Sequence, residues 1–485
     1  MTRTVQVRRG AYQDSVSLML ISRELSDRPD VSTVQVAMAT ELNLDLLRQM
    51  GFDVPADASP NDMVIAIDTD DPAAAEAAGA ALDEALTRRP ARGGALDPGT
   101  PPPATIGAAA RRVDASFALI STPGRTAAID AADALAAGLD VMIFSDNVSV
   151  ANEVALKSWA GESGLLVLGP DCGTAVVGGV GLGFANVVRP GPIGIVAASG
   201  TGAQQLMALL DGVGLGVTHC LGVGGRDLSA DVAGRSTLAA LDRLAADPDV
   251  DTIVVISKPP ADEVAQRVTD HARTLDKPVV IGYLGVGQPD LTETARRVAG
   301  AAGASWQIPR RWGGEPPPPR RGYLRGLFVG GTLCDEAMIL AAVTLDAVAS
   351  NIPLAGQPRL DAALTSLGHT FIDFGDDQLT AGRPHPMIDP SLRLDRLRRE
   401  LADPDCAVVL LDVVLGHGAH PDPATDLTAA IDGASTPVVV SLTGTRDDPQ
   451  GLDGQAARLV EAGAIVHASN AAATREALSL LEVNR

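Results

Sequence analysis

The chain has few aromatic residues, few lysines and no long apolar run. Phe, Trp and Tyr make up 3% of its 485 residues, and only three lysines occur beside 35 arginines. No apolar stretch approaches the roughly 20 residues of a membrane-spanning helix, and the amino terminus lacks the apolar core of a signal peptide. The net charge of −22 disfavours nucleic acid as a partner. We therefore predict a cytoplasmic protein that binds neither membranes nor nucleic acid.

Cysteine is equally scarce. The four cysteines, Cys172, Cys220, Cys334 and Cys406, lie far apart and form no C-x-x-C pair. Such spacing favours buried, reduced thiols over disulfides or a cysteine metal site. No metal site is predicted.

What the chain does have is an internal repeat. Both copies contain an apolar strand, a small-residue turn with Gly and Thr, a helix, a D-P-D turn, a second strand and a Pro-led third strand. The paired segments are IGIVAASGTGAQQLM (193–207) with LRGLFVGGTLCDEAM (324–338), LAADPDVDTIVVIS (244–257) with LADPDCAVVLLD (401–412), and DKPVVIGYLG (276–285) with STPVVVSLTG (435–444). Strands that alternate with helices indicate a parallel sheet covered on both faces, so we infer a duplicated α/β domain.

The predicted fold is α/β in four parts: a small leading α/β domain, a Rossmann-like domain and two flavodoxin-like domains. Two linkers follow from Pro- and Gly-rich composition. The predicted boundaries are 1–89 for the leading domain, 90–104 for a linker, 105–188 for the Rossmann-like domain, 189–306 for the first flavodoxin-like domain, 307–322 for a Pro-rich linker and 323–485 for the second flavodoxin-like domain.

The turn A-A-S-G-T-G-A is the first candidate site. Ser199, Gly200, Thr201 and Gly202 lie between a predicted strand and a helix, where backbone N–H groups, hydroxyls and the helix dipole favour a phosphate. An ordinary Ser or Thr helix cap is the alternative. The second copy of the repeat carries the corresponding turn, formed by Gly330, Gly331 and Thr332.

The segment L-G-H-G-A-H-P-D-P is the second candidate. Gly416, His417, Gly418 and His420 follow the predicted strand VVLLDVV. We expect a helix amino terminus at 416–420 that contacts an anion or substrate. A loop with a purely structural role and a histidine metal pair are the alternatives.

A third candidate lies in the segment FIDFGDDQLTAGRPHPMIDP (371–390). Arg383 could bind a carboxylate or phosphate through two parallel hydrogen bonds. His385 could act as an acid or base near neutral pH. A solvated loop closed by a local Asp–Arg pair is the alternative.

Several of these motifs resemble succinyl-CoA synthetase. From Phe117 to about Gly287 the chain is similar to the α-subunit of that enzyme, and from Tyr323 onward it is similar to the carboxyl-terminal CoA-ligase domain of the β-subunit. The first resemblance rests on ISTPG (120–124), GPDCGT (169–174), GPIGIVAASGTG (191–202), GVGGRD (222–227) and KPVVIGYLGV (277–286), and the second on GLFVGGTL (326–333) and TPVVVSLTGT (436–445).

Three further segments make the chain resemble a narrower group, the FdrA proteins. They are QDSVSLMLISREL (13–25), GRPHPMIDP (382–390) and LGHGAHPDPA (415–424). This resemblance implies a component of an oxamate carbamoyltransferase in purine (allantoin) breakdown, where oxalurate and phosphate give oxamate and carbamoyl phosphate, or the reverse. It also implies further enzyme subunits as partners and an oligomer.

The chain departs from the synthetase pattern at three places. Only a Pro-rich linker joins the two halves, so the nucleotide-binding ATP-grasp domain is missing. The region that carries the synthetase phosphohistidine reads GYLGVGQPDLTETARRV (282–298) and holds no histidine. The position of the carboxylate that orients that histidine falls on Lys258, a cation that suits a bound anion. Pro259 and Pro260 follow it and turn the chain away, so we expect its ammonium group to face the strand-end cleft. A surface lysine on a turn is the alternative.

We accordingly predict a carbamoyl transfer enzyme. Lys258, His385, His417 and His420 are the predicted catalytic residues. The predicted substrate is phosphate or carbamoyl phosphate, bound by the turns at 199–202 and 330–332, by Arg383, and by Gly416 and Gly418. The synthetase resemblance implies that the Rossmann-like domain is of the CoA-binding type. Coenzyme A is a further candidate ligand. The alternatives are a subunit of an NDP-forming acyl-CoA ligase that lacks its own ATP-grasp domain, and a non-catalytic regulatory protein that retains a synthetase fold.

Overall fold

The fold is described from a computed structural model. It describes residues 2–88 apart from 12, 14, 27, 29, 30, 32, 56, 70 and 71, then 103–380 and 384–482. The chain divides into two compact units, Met1–Ala104 with Thr380–Asp389, and Thr105–Leu379 with Pro390–Arg485. Among the described residues, no helix combines the length and the apolarity that a membrane span requires.

The first unit is a three-stranded antiparallel sheet with helices on both faces, in the strand order β1-β3-β2. Side chains alternate along the central strand: Met63, Ile65 and Ile67 pack on one face and Val64 and Ala66 on the other. The elements are β1 (Thr2–Arg8), α1 (Ser15–Ser26), β2 (Thr33–Met38), α2 (Glu41–Gln49), β3 (Met63–Thr69) and α3 (Pro72–Arg88). The predicted linker 90–104 lies almost wholly outside the described residues.

The second unit opens with a small Rossmann-like sheet whose parallel strands run in the order β4-β5-β6. Its elements are α4 (Ile106–Ala110), β4 (Phe117–Ile120), α5 (Gly124–Ala136), β5 (Asp140–Ile143), α6 (Val150–Glu162) and β6 (Val167–Leu168).

A six-stranded sheet follows, in the order β12-β11-β9-β10-β7-β8. The strands β10, β9, β11 and β12 are parallel neighbours, and an antiparallel hairpin, β7–β8, extends this sheet from within the predicted segment 105–188. The elements are β7 (Thr174–Val177), β8 (Val180–Gly183), β9 (Ile193–Ala198), α7 (Gly200–Gly212), β10 (Val217–Gly222), α8 (Arg235–Ala246), β11 (Thr252–Ser257), α9 (Asp262–Ala272), β12 (Val279–Tyr283) and α10 (Leu291–Ala301).

A seven-stranded sheet completes the unit, in the order β13-β19-β18-β17-β14-β16-β15. Its edge strand β13 lies within the predicted Pro-rich linker and pairs antiparallel with β19. The elements are β13 (Arg311–Trp312), β14 (Tyr323–Phe328), α11 (Gly331–Ala341), β15 (Val348–Ser350), β16 (His369–Asp373), α12 (Asp377–Thr380), α13 (Ser391–Ala402), β17 (Cys406–Val414), α14 (Pro423–Ile431), β18 (Val438–Thr443), α15 (Leu452–Glu461), β19 (Ile465–His467) and α16 (Asn470–Ser479).

The two larger sheets are copies of one topology. The first strand of each repeat is β9 in one sheet and β14 in the other. Counted from it, and with the short edge strand β15 of the second sheet set aside, the order is 2-1-3-4 with a fifth strand in the second copy, which is the flavodoxin order. The strands β9, β11, β17 and β18 are buried along their whole length, as expected of parallel strands covered on both faces. The α/β fold predicted from the sequence is confirmed.

A buried polar cluster joins the two flavodoxin-like domains. Gln205 of α7 donates to the carbonyl of Ala468 at 2.9 Å and accepts from the Asn470 amide N–H at 3.1 Å. Glu336 of α11 accepts from the side chain of Asn470 at 2.7 Å and from the N–H of Leu291 at 2.6 Å. These hydrogen bonds hold the two domains, and with them α7 and α11, in place. Separating the domains would leave buried polar groups unsatisfied, which is costly.

A second buried cluster joins the Rossmann-like sheet to the first flavodoxin-like domain. The Lys157 ammonium donates to Glu153 at 2.8 Å, to Asp227 at 2.7 Å and to the carbonyl of Val223 at 2.8 Å. Its side chain is fully buried, so all three of its protons are matched by acceptors. Lys157 therefore has a structural role.

Replacing Lys157 by Met should lower the free energy of unfolding by about 3–5 kcal/mol, because Asp227 would be left buried without its cation and, among the described residues, Glu153 would keep only Arg226. Urea unfolding followed by circular dichroism measures this change. Arg273→Met is the control, because its exposed pair with Asp270 should matter little. Equal stability of Lys157→Met and wild type would contradict the structural role.

Candidate functional site

The candidate site lies where the strands of both flavodoxin-like sheets end. In this topology ligands bind beyond the carboxyl ends of the first and third strands of each repeat. Ser199 follows β9, and its hydroxyl accepts from the N–H of Gly202 at 3.0 Å and so caps α7. Lys258 follows β11, and Gly330 precedes α11.

The first turns of α7 and α11 touch. The Ser199 hydroxyl donates to the Thr332 hydroxyl at 2.7 Å. A Cβ added to Gly330 would lie 2.8 Å from the Thr201 hydroxyl oxygen, and one added to Gly202 would lie 3.0 Å from the Thr332 methyl carbon. Glycine at 202 and 330 is what permits this approach, and the two predicted phosphate turns are brought together.

Lys258 lies beside the first turn of α11. Its ammonium is 2.9 Å from a carboxylate oxygen of Asp335, one turn into the helix. A Cβ added to Gly331 would lie 3.2 Å from the same ammonium and 2.6 Å from an Asp373 carboxylate oxygen. The lysine thus faces the strand ends as expected. Its countercharge, however, comes from a protein carboxylate, whereas we expected it to come from a bound anion alone.

Asp373 ends β16 and is buried, with 5% of its surface exposed. Burial raises the pKa of its carboxyl to about 7, although Lys258 and a hydrogen bond from the Gly375 N–H oppose the rise. A carboxyl with that pKa exchanges its proton near neutrality. Burial likewise raises the pKa of Asp335, against the pull of Lys258.

Sequence reasoning missed Asp335, and it included Asp373 in the third candidate segment without giving it a role. Asp373 carried one usable signal, since an acid directly after a predicted apolar strand marks a strand end. Asp335 carried no such signal: it lies within a helix, and only the fold brings it to Lys258.

The second candidate segment has a different structure from the one expected. The helix α14 begins at Pro423, so residues 416–420 form a loop and no helix amino terminus. Proline is favoured at the first position of a helix, so Pro423 marks where α14 begins. Gly416 and Gly418 have positive φ, which is incompatible with a right-handed helix. The His417 N–H donates to the carbonyl of Ala185 at 2.8 Å.

His420 is 8% exposed and bonds locally. Its Nδ1 accepts from the N–H of Asp422 at 2.9 Å, and its Nε2 lies 3.3 Å from an Asp426 carboxylate oxygen. Within the described part of the chain, no hydrogen bond or ion pair joins His417 or His420 to Lys258. Their predicted catalytic roles remain predictions.

The third candidate segment divides in two. Arg383 lies outside the described residues. His385 belongs to the stretch Thr380–Asp389, which groups with the first unit, whereas Lys258 belongs to the second. Burial lowers the pKa of His385 to about 4, so its imidazole is neutral at pH 7.

Two sequence families match parts of the chain. Residues 1–99 match the family described as AllF, heavy metal-associated domain, and residues 327–480 match the CoA-ligase family. The first name implies a metal, but residues 1–99 contain neither cysteine nor histidine. Thiolate and imidazole ligands for such a metal are therefore missing from this segment. No cluster of three potential metal ligands occurs among the described residues.

Individual proteins are also similar to this chain. YahF of Escherichia coli K12 is 39% identical, over 97% of each chain. The subunit α 2 of the ADP-forming succinate–CoA ligase of Archaeoglobus fulgidus is 28% identical, over 55% of this chain and 83% of its own.

Among solved structures, acetyl-coenzyme A synthetase 1 of Candidatus Korarchaeum cryptofilum aligns with 79% of this chain and 88% of its own, at 16% identity and a TM-score of 0.30. That likeness is too distant to carry an argument. The relation to YahF, by contrast, spans nearly the whole length of both chains, and the protein belongs to the YahF family, with an AllF-type amino-terminal domain and a CoA-ligase domain related to succinyl-CoA synthetase.

Proposed function

We propose that the protein transfers an acyl group between inorganic phosphate and a small acceptor, at the site formed by Lys258, Asp373 and the first turn of α11. One observation carries the proposal: a cation, a buried acid with a pKa near 7 and a helix amino terminus meet at Gly331. The CoA-ligase match and the relation to succinate–CoA ligase support acyl chemistry.

The phosphate would bind at the first turn of α11. The first N–H groups of a helix have no acceptor within that helix, and the helix dipole favours negative charge there. Lys258 stands beside them and would move from Asp335 to the phosphate. A protonated Asp373 favours this exchange, because it removes one of the two negative charges that flank the lysine.

Asp373 would donate the proton that the leaving nitrogen needs. An oxygen of hydrogen phosphate attacks the acyl carbon of an acyl–nitrogen substrate, and the tetrahedral oxyanion is stabilised by helix N–H groups. When the intermediate collapses, the C–N bond breaks and the nitrogen takes the proton of Asp373. The carboxylate then recovers a proton from the phosphate group, so an acyl phosphate and a free amine or amide leave.

A carbamoyl group is the acyl group that we favour, with oxalurate and phosphate giving oxamate and carbamoyl phosphate, or the reverse. The absence of histidine between residues 282 and 298 supports direct transfer to phosphate. We place this reaction in purine (allantoin) breakdown, as the FdrA resemblance implies.

A second candidate is a subunit of an NDP-forming acyl-CoA ligase whose nucleotide domain lies on a partner chain. The CoA-ligase match favours it. Two assays separate the candidates: acid-labile label on this chain after incubation with labelled ATP and magnesium would favour the ligase, and phosphate-dependent release of oxamate from oxalurate without nucleotide would favour the direct transfer.

Lys258→Met should lower phosphate-dependent turnover of oxalurate by about 30- to 1000-fold, because a charge-assisted contact to the transition state is worth roughly 2–4 kcal/mol. Phosphorus NMR of carbamoyl phosphate formation measures the rate. Lys277→Met is the matched control, since among the described residues that ammonium donates to two backbone carbonyls, those of Leu244 and Asp247. Unchanged rate and phosphate affinity in Lys258→Met would place the site elsewhere.

Turnover towards carbamoyl phosphate should fall as the pH rises through about 7, because only protonated Asp373 can donate to the leaving nitrogen. The carboxyl has a raised pKa, so its protonated form dominates below that pH and is lost above it. Asp373→Asn should lose both the rate and this dependence, whereas Asp405→Asn, at an exposed turn, should keep both. A wild-type rate that does not change between pH 5.5 and 8.5 would rule out Asp373 as the acid.

A further inference from the structure

One buried carboxylate holds the turn that forms the wall of the proposed site. Asp412 lies within β17 and is fully buried. Its two oxygens accept from the N–H of Val329 at 2.7 Å and from the N–H of Gly330 at 2.8 Å. These are the two residues between β14 and α11, so one side chain fixes where the helix begins.

The carboxylate is held in turn by a buried arginine. Arg393 of α13 is 3% exposed and donates to the Asp412 carbonyl at 2.6 Å and to its carboxylate at 3.1 Å. Burial raises the pKa of Asp412 to about 6, and Arg393 and the two N–H groups oppose that rise. The guanidinium and the two N–H groups thus favour the charged form of Asp412.

We propose that Asp412 is a positioning residue for the transfer reaction, which fixes the Val329–Gly330 turn and acts electrostatically on Asp373. This inference rests on the proposed function. Among the described residues no hydrogen bond or ion pair joins Asp412 to Lys258 or Asp373, so Asp412 would act on the reaction through the turn and through its charge. Its negative charge disfavours a second negative charge on Asp373, and so raises the pKa of that carboxyl further.

Two consequences follow from removing the charge. Asp373 should become more acidic, so the pH at which turnover falls should move downward from about 7. The rate below that pH should drop by about 10- to 100-fold, because a displaced turn misplaces phosphate. A residue that only stabilised the fold would move neither the midpoint nor the titration of Asp373.

Asp412→Asn tests this, with Asp448→Asn as the matched control. Asp448 is 3% exposed and also accepts from two backbone N–H groups, those of Val187 and Thr445 at 2.7 and 2.8 Å, in a different part of the domain interface. Both variants lose an acceptor, but only Asp412→Asn should shift the pH midpoint.

The Asp373 titration is also followed directly, by carbon NMR of labelled aspartate carboxyls, with the resonance identified by its loss in Asp373→Asn. Asp412→Ser serves as a second variant if the first does not fold, because it also removes the charge and keeps one acceptor. A midpoint that stays in place in the folded Asp412 variant, or moves equally in Asp448→Asn, would overturn the inference.

The carboxyl titration needs no turnover. A wild-type protein without phosphate-dependent activity would therefore contradict the proposed function. The titration would still decide whether Asp412 acts on Asp373.

Discussion

The contact between the first turns of α7 and α11 is the constraint on which the site depends. Both helices present their amino ends, and each end carries a partial positive charge. Such ends repel unless negative charge lies between or beside them. Asp335 and Asp373 supply part of that charge, and the helices still come within hydrogen-bond distance through Ser199 and Thr332. An anionic substrate fits this field.

Buried hydrogen bonds away from the helix amino ends hold the two helices in this position. Gln205, Glu336 and Asn470 form a buried network between the two flavodoxin-like domains, and Asp412 holds the residues just before α11. Both domains belong to one chain and one compact unit, so a single chain supplies both helix ends. The duplication visible in the sequence thus has a direct chemical result, which is a pair of opposed helix ends.

Much of the fold could be predicted because parallel strands buried on both faces read as unbroken apolar runs, as in β9 and β11. The glycine turns at 199–202 and 330–332 were also predictable, since only small residues permit close backbone approach. The partner of Lys258 was not, because a helical aspartate such as Asp335 resembles any surface acid. The 416–420 segment differs from the predicted helix amino terminus because Pro423, a residue favoured at the first position of a helix, sets the start of α14 beyond it.

The measurement that tests the central claim most directly is a crystal structure of the full chain with inorganic phosphate. Our account predicts a phosphate within hydrogen-bond distance of the Lys258 ammonium and the N–H groups of the first turn of α11, with the contact between Lys258 and Asp335 lengthened. Phosphate bound instead along the 416–420 loop, or an unchanged contact between Lys258 and Asp335 at saturating phosphate, would contradict it.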